Sequence, residues 1–127
     1  MESNSLKLHL ANPANTRLFT AYGADHVMVS GERHERSIVV LAQEVRSDWA
    51  AADFDTLDET HFAYFLVFKP DVLLLGTGAQ QRFPHPRLYR ALTDACIGVE
   101  FMNTPAACRT YNILAAEGRK VIAAILL

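Results

Sequence analysis

Cys108 is the residue of this 127-residue chain whose position best suits a nucleophile. A thiolate near the N-terminus of a helix is stabilised by the helix dipole, and His85 lies in a loop on the same side, where it could act as a base. Cys108 also falls beside Tyr111 and Ala115 on the apolar flank of its predicted helix, where a small buried thiol is common. We therefore predict that Cys108 packs in the core, with catalysis as the less favoured alternative.

Glu100 is a carboxylate on an otherwise apolar predicted strand. It could be a general acid or base with a shifted pKa, but an ion pair with Arg109 or Arg119 would satisfy it without catalysis, and we favour the ion pair. The histidines at positions 9, 26, 34, 61 and 85 show no metal-ligand spacing, and Cys96 and Cys108 stand apart without one. We therefore expect no metal site, no disulfide and no cofactor.

The stretch GTGAQQRFPHP, residues 76–86, follows the apolar run DVLLL. A glycine pair after a strand can hold a ligand through its backbone, or it can supply a tight turn and close packing. The spacing of a dinucleotide-binding loop is missing, because Gln81 stands three residues after Gly78. We favour the structural turn and keep ligand binding as the alternative.

The first third of the chain is typical of β-strands. The segments LKLHL, RLFTAY and HVMVSG are separated by the turn-forming ANPAN and GAD. SIVVLAQEVRSDW predicts one longer strand or a bent pair that Trp49 closes. Residues 1–5 are expected to be disordered.

Helices and strands alternate from Thr56 onward. The spacing of Thr56 and Glu59 predicts a capping box at the start of a helix that ends before Pro70. DVLLL then predicts a buried strand. Pro86 predicts the first turn of an amphipathic helix. The apolar stripe of that helix is predicted to contain Leu88, Ala91, Leu92 and Ala95.

The last third continues the same alternation. IGVEFM predicts a short strand, and Thr104 with Pro105 predicts the N-cap and first turn of a helix that Gly118 ends. KVIAAILL predicts a final buried strand. The whole pattern predicts a single three-layer α/β domain over residues 1–127, with a mixed, partly parallel central sheet. Strands 71–75 and 97–101 are expected to be parallel, as neighbours or one strand apart.

This topology predicts a cleft, because ligands of open α/β sheets lie outside the carboxyl ends of the strands. The 76–78 loop and the 102–104 turn should share it, with the free amides of the following helix directed toward a small anion or carboxylate. Arg109 and Asn112 should lie on the outer side of that helix. The candidate ligand-binding residues are Gly76, Thr77, Gly78, Glu100, Met102, Thr104, Arg109, Thr110 and Asn112.

Composition excludes several classes of function. Twelve basic and fourteen acidic residues give a net charge of −2 without a basic cluster, which disfavours nucleic acid as a partner. No apolar segment approaches the roughly 20 residues of a membrane span, and the first residues lack the pattern of a signal peptide. We therefore expect a cytoplasmic protein without direct membrane insertion.

PDVLLLGTG and GVEFMNTPAACRTYNILAAEGRKVIAAIL resemble a small α/β family that includes mitochondrial NADH dehydrogenase 1 alpha subcomplex assembly factor 3 and many bacterial and archaeal proteins of unknown function. Trp49 is similar to the tryptophan that closes the β region of the family. The resemblance implies three layers around a mixed sheet and, for the mitochondrial members, a role in assembling respiratory complex I through protein contacts. The matching motif positions are Gly76, Thr77, Gly78, Glu100, Met102, Thr104, Ala107, Thr110, Tyr111, Asn112, Glu117, Gly118 and Arg119.

The leading hypothesis is therefore a non-enzymatic protein-interaction or assembly module that binds a protein partner. An enzyme is the less favoured class, since the resemblance carries over no catalytic residues. The alternative is a small-molecule (anion) binder or enzyme that uses the cleft between the Gly76–Gly78 loop and the helix that begins near Thr104.

Overall fold

The computed structural model describes residues 6–7 and 15–127, with side chains from residue 15 onward. The strands are β1 Leu6–Lys7, β2 Phe19–Tyr22, β3 Val27–Val29, β4 Glu32–His34, β5 Ile38–Val40, β6 Val45–Arg46, β7 Val72–Gly76, β8 Gly98–Met102 and β9 Val121–Ile125. The α-helices are α1 Glu59–Ala63, α2 Arg90–Asp94 and α3 Thr104–Ala116, and short 3₁₀ turns lie at Phe54–Thr56, Leu66–Phe68 and Pro86–Tyr89.

The described strands form two sheets. Strands β1 to β4 make an antiparallel meander in chain order, and the second sheet has the order β6-β5-β9-β7-β8. Within the second sheet β7 is parallel to both β8 and β9, whereas β5 is antiparallel to β9 and β6. The predicted α/β class, the mixed sheet and the parallel pairing of strands 71–75 and 97–101 are confirmed.

The five-stranded sheet is the central layer, and it separates two apolar cores. One core joins the meander, α3 and one face of the sheet, with Phe19, Tyr111 and Ile125 among its buried side chains. The other core joins the opposite face to α1 and α2, with Phe62 and Leu92 among its buried side chains. Both faces of β7 and β9 are therefore covered, which is why their sequences are continuous apolar runs.

The prediction of a β-rich first third is confirmed, but it omitted one strand. SIVVLAQEVRSDW forms the bent pair, because β5 and β6 make a hairpin. Strand β4 was missed, since ERH carries no apolar alternation, and it pairs with β3 through a tight turn at Ser30 and Gly31, both with positive φ. The expected strand LKLHL continues beyond Lys7 into residues 8–10, which lie outside the described part, as does the expectation for residues 1–5.

The predicted start of α1 is wrong. Thr56 belongs to a 3₁₀ turn that Asp53 caps, and α1 begins after Asp58. The Asp58 carboxylate accepts the N–H groups of Thr60 and His61, while His61 Nδ1 accepts the N–H of Asp58. A carboxylate two residues later therefore competes successfully with the threonine hydroxyl for the helix N-terminus.

The helix predicted from Pro86 is shorter than expected. Its first turn is 3₁₀, and α2 contains only five residues. Leu92 is fully buried and Leu88 half-buried, but Ala91 and Ala95 are exposed, so the predicted apolar stripe is wrong at those two positions. A segment of this length covers the sheet with one large side chain and leaves its alanines at the surface.

Candidate functional site

Glycine is needed at the two positions of the GTG loop for different structural reasons. A Cβ on Gly76 would lie 2.9 Å from Ile125 Cδ1 and 3.2 Å from Thr104 Oγ1, so β7 can approach β9 and α3 closely only without a side chain at this position. Gly78 has room for a Cβ but a φ of +93°, which L side chains rarely adopt. One glycine permits close packing and the other permits the turn.

The glycine loop and the start of α3 are hydrogen-bonded to each other. Thr104 donates its N–H to the Gly78 carbonyl at 2.8 Å, and its hydroxyl oxygen accepts the Gly78 N–H at 3.0 Å. The N-cap of α3 is Asn103 rather than the predicted Thr104, because Asn103 Oδ1 accepts the N–H of Ala106 at 2.9 Å. Thr104 is instead buried as the first residue of the helix.

The amides expected to be free for an anion are therefore already bonded inside the protein. Ala107 donates its N–H to the Asn103 carbonyl, and Pro105 has no N–H to offer. A helix N-terminus attracts anions through unpaired N–H groups and its dipole, and here the unpaired groups are used by the loop and the cap. The electrostatic part of the predicted anion site is correspondingly weakened.

Thr77 holds the rest of the loop. Its hydroxyl donates to the Gln80 carbonyl at 2.6 Å and lies 3.0 Å from the Met102 carbonyl, while it accepts the Arg82 N–H at 3.1 Å. Gln81 Nε2 donates to the Phe101 carbonyl at 2.8 Å. These bonds tie the loop to its own backbone and to β8.

A cleft of about 530 Å³ lies beside the loop, between the β2–β3 turn, the start of α3 and the end of β9. It is lined by Tyr22, Gly23, Ala24, Gly78, Ala79, Thr104, Pro105, Leu126 and Leu127. Of the candidate residues, the structure places Gly78 and Thr104 in this lining, with Gly76, Thr77 and Met102 beside them along the backbone. The cleft is mainly apolar, which sequence reasoning about the glycine loop did not predict.

The remaining candidates on α3 do not line the cleft. Thr110 is half-buried, and Arg109 is exposed with its guanidinium bonded to the Tyr22 hydroxyl at 2.9 Å. The expectation that Asn112 lies on the outer side is wrong, since it is 1% exposed. Its side chain accepts the Phe19 N–H and donates to the Phe19 carbonyl, each at 2.8 Å. It therefore substitutes for a neighbouring strand on β2.

The reactive-residue candidates show no catalytic geometry. Cys108 is fully buried, as predicted, and burial raises the pKa of its thiol to about 12, so a thiolate is scarcely populated at neutral pH. His85 caps the 3₁₀ turn that follows it, accepting the Arg87 N–H. Glu100 is exposed on β8 and forms no ion pair with any residue of the described part, so the expected pairing with Arg109 or Arg119 is wrong.

Sequence reasoning missed a polar and aromatic surface at the β6 edge of the central sheet. We define the Arg46 surface as Arg46, Asp48, Tyr64, Val67 and Phe68. Arg46 Nε donates to the Tyr64 hydroxyl at 2.7 Å and Nη2 lies 2.9 Å from Asp48 Oδ2, while the Tyr64 hydroxyl donates to Asp48 Oδ1 at 2.6 Å. The Arg46 guanidinium also lies 5.3 Å from the centre of the Phe68 ring. Arg46 and Tyr64 are 18 positions apart, so the sequence has no local spacing that could indicate this cluster.

The charges of this surface support one another. The hydrogen bonds from Tyr64 and Arg46 lower the pKa of Asp48, and the same contact with Asp48 raises the pKa of Arg46. Desolvation and the bond to Asp48 raise the pKa of Tyr64. All three groups therefore keep their neutral-pH charge states, with the guanidinium and the carboxylate ionised and the phenol neutral.

Other kinds of site find little support in the geometry. Among residues 6–7 and 15–127, no three histidine, cysteine or acidic side chains come close enough to hold a metal ion. None of the helices in the same ranges has both the length and the apolar content required to cross a membrane.

Comparison with known proteins gives consistent similarities. A family model described as "Protein of unknown function (DUF498/DUF598)" matches residues 19–126. The bovine NADH dehydrogenase [ubiquinone] 1 alpha subcomplex assembly factor 3 is 31% identical over 108 residues, which are 84% of this chain but only 58% of that protein. The chain thus spans less than two thirds of this relative's length.

Solved structures agree with the fold. A crystal structure of a Bordetella parapertussis protein is similar with a TM-score of 0.83 and 35% identity, covering 90% of this chain and 98% of that one. A solution structure from Bordetella pertussis, described as a Mth938-like domain, has a TM-score of 0.76 and 30% identity, covering 95% and 92% of the two chains.

Proposed function

Because this chain belongs to the DUF498/DUF598 family, we propose that it is a cytoplasmic, non-enzymatic protein-interaction module that assists assembly of a protein complex. The observation that carries the proposal is the similarity to assembly factor 3, whose name states a role in assembly. Since the match spans 58% of that relative, only the general class of action is transferred, and no complex is named as the client.

The Arg46 surface is the contact site that we assign to this function. Arginine and tyrosine are enriched at the energetically dominant positions of protein interfaces, and residues held in place before binding lose less conformational entropy. Arg46 and Tyr64 are held by each other and by Asp48. Val67 is 77% exposed and directly precedes Phe68 in the same 3₁₀ turn, so we include this apolar side chain in the proposed contact site.

The proposal is tested by replacing exposed apolar residues one at a time with aspartate. Val67→Asp should reduce recovery of a specific partner in affinity capture from cell extract at least about tenfold, because a charge would be buried in the interface. Ile113→Asp and Phe83→Asp are matched controls, since these residues are 52% and 68% exposed on other surfaces. All three variants should keep the melting temperature of the parent protein.

Partner loss by Ile113→Asp or Phe83→Asp with Val67→Asp unaffected would move the contact site away from the Arg46 surface. Absence of any specific partner, combined with turnover of a metabolite by the purified protein, would contradict the function itself.

A second candidate function is the binding of an apolar carboxylate in the cleft. It is favoured by the volume of about 530 Å³, by the apolar lining that includes Leu126 and Leu127, and by Arg109, which is bonded to the lining residue Tyr22. Pockets of this size, largely apolar with few polar groups, are typical of small-molecule sites. Such a ligand would place its chain in the cleft and its charge toward the guanidinium.

Octanoate and octanol are suitable probes for this candidate. Octanoate should shift the amide resonances of Gly23, Gly78 and Thr104 in an NMR titration, and Arg109→Ala should weaken octanoate more than octanol. Gly78→Ala separates stability from binding, because its φ of +93° predicts a lower melting temperature whether or not a ligand binds. Equal responses of the parent protein and Arg109→Ala to octanoate would exclude the assigned role of Arg109.

A further inference from the structure

Strand β8 forms one edge of the central sheet, since β7 is the only strand of residues 6–7 and 15–127 that pairs with it. The Gly98 N–H points toward β7, where it donates to the Asp71 carbonyl at 3.2 Å. Because alternate residues of a strand direct their N–H and C=O groups to opposite sides, those of Val99 and Phe101 point away from the sheet. The outer side of β8 is therefore a row of backbone donors and acceptors.

Part of this row is already occupied. The carbonyl of Phe101 accepts the side-chain amide of Gln81 at 2.8 Å. The Ile97 carbonyl, both backbone groups of Val99 and the Phe101 N–H have no hydrogen-bond partner among residues 6–7 and 15–127. These free groups alternate along the edge as acceptor, donor, acceptor, donor, and they end where the Gln81 amide begins.

A two-fold axis through Val99 would place each free donor of one β8 strand opposite a free acceptor of a second copy. Two antiparallel copies of β8 would pair Val99 with Val99, each N–H donating to the other carbonyl. The Phe101 N–H of each copy would donate to the Ile97 carbonyl of the other. Each copy thus donates two hydrogen bonds, and no free group of the edge is left without a partner. At these outer pairs the Phe101 carbonyl of one copy faces the Ile97 N–H of the other. Each is already bonded within its own copy, the carbonyl to the Gln81 side chain and the N–H to the Leu92 carbonyl.

The side chains also permit this pairing. In this register Glu100 lies opposite Gly98 of the second copy, at a non-hydrogen-bonded position where facing side chains approach most closely. Since glycine has no side chain, the two Glu100 carboxylates do not face each other directly. Both residues are exposed in one copy of the chain. Like charges directly opposite would destabilise the pair.

We propose that two copies of this chain associate through β8 and form one continuous sheet across a two-fold axis. The interface is isologous, as expected for a homodimer, since the same strand contributes to both sides. The exposed backbone edge of β8 is then paired, which also removes a site for uncontrolled strand addition.

Charge changes at Gly98 give the sharpest test. A Cβ on Gly98 would meet its nearest heavy atom, the Asp71 carbonyl oxygen, at an ordinary 3.5 Å, so a side chain is tolerated within one copy. Gly98→Lys would face Glu100 of the second copy, and Gly98→Glu would place like charges opposite each other. With two such pairs in the dimer, we expect the dissociation constant to fall roughly tenfold for the lysine variant and to rise roughly tenfold for the glutamate variant at low salt.

The double variant Gly98→Glu/Glu100→Lys reverses the charges and should restore the affinity that Gly98→Glu loses. Sedimentation equilibrium over about 1 µM to about 500 µM protein measures these constants, and melting curves verify that each variant folds. In the parent protein, the Val99 and Phe101 amides should exchange with deuterium more slowly as protein concentration rises.

A monomer throughout this concentration range would overturn the proposal. So would a dimer whose affinity is the same for the lysine and glutamate variants, or one in which the Val99 and Phe101 amides exchange at a rate that is independent of concentration. Protection of these amides only by a different protein would assign the edge to another partner and would equally overturn self-association.

Discussion

The two edges of the central sheet end in different ways. Strand β6 contains two residues, and side chains dominate its surface through the cluster of Arg46, Asp48 and Tyr64. Strand β8 contains five residues, and its outer side presents backbone groups that, within the described part of the chain, Gln81 alone partly covers. One edge is therefore a surface of ordered side chains, and the other is a free hydrogen-bonding ladder.

This difference teaches that the same sheet can present two chemically distinct surfaces. A backbone ladder recognises any extended strand of suitable register, whereas a side-chain cluster discriminates between partners through shape and charge. We therefore assign the specific partner to the β6 edge and a second copy of the chain to the β8 edge. Substitutions that remove side-chain hydrogen bonds at one strand edge at a time can separate these two roles.

The largest effect on stability is expected where a side chain satisfies the backbone groups of a strand edge inside the core. Asn112→Ala removes the amide that bonds both backbone groups of Phe19, and it leaves them buried without partners. The free energy of unfolding should fall by about 2–4 kcal/mol, measured by urea denaturation. Asn112→Asp is a sharp control, since it keeps the acceptor for the Phe19 N–H but places a carboxylate against the Phe19 carbonyl. A loss below about 0.5 kcal/mol for Asn112→Ala would show that the amide is not needed to seal β2.

A smaller effect is expected at the β6 edge. Tyr64→Phe removes the hydroxyl that bonds Arg46 and Asp48 but keeps the ring that packs 5.1 Å from Phe65. Because the network is largely exposed, the free energy of unfolding should fall by only about 0.5–1 kcal/mol. Loss of more than about 2 kcal/mol would mean that this cluster supports the fold rather than a contact surface.

The pH dependence of stability should also reflect the β6 edge. The folded-state pKa of Asp48 is lowered, first by Tyr64 and then by Arg46. Its stabilising contribution is therefore present above the unfolded-state pKa of about 3.9 and disappears as pH falls through the lower folded-state pKa. Asp48→Asn should be less stable than the parent at pH 7, and the two urea midpoints should converge toward pH 3. An equal difference at both pH values would contradict the assigned ion pair.

The smallest effect is expected for the amide that covers the β8 edge. Gln81→Ala frees the Phe101 carbonyl, but Gln81 is exposed and water can replace the lost bond. The free energy of unfolding should change by no more than about 0.5 kcal/mol. A loss of unfolding free energy comparable to that of Asn112→Ala would show that the side-chain amide at the β8 edge matters as much as the one that bonds β2.

The sequence predicted the parts of this fold that depend on local pattern. Strands β7 and β9 were recognisable as short continuous apolar runs. Helix α3 was recognisable because its apolar residues repeat with the helical period between Pro105 and Gly118. The start of α1 was misplaced because Thr56 and Asp58 are both acceptable caps, and only the folded chain decides between them.

The missed features depend on contacts between distant residues. Asn112 bonds the backbone of Phe19, which is 93 positions away. From the sequence alone this contact is not visible, and a polar residue in a helix is expected at the surface. The glycine loop was correctly located, but the fate of its amides depended on the Thr104 hydroxyl, which the pattern of an N-cap assigned to the helix itself. The positions of the glycine loop and of helix α3 were thus predicted more reliably than the hydrogen bonds of their amides.

The most direct test of the proposed function is hydrogen exchange of the captured complex compared with the protein alone, at concentrations below self-association. We predict slower exchange in peptides that contain β6 and residues 64–68, with unchanged exchange around the cleft at Gly78 and Thr104. Slower exchange confined to the cleft, with residues 45–46 and 64–68 unaffected, would contradict the assignment of the Arg46 surface as the site of partner binding.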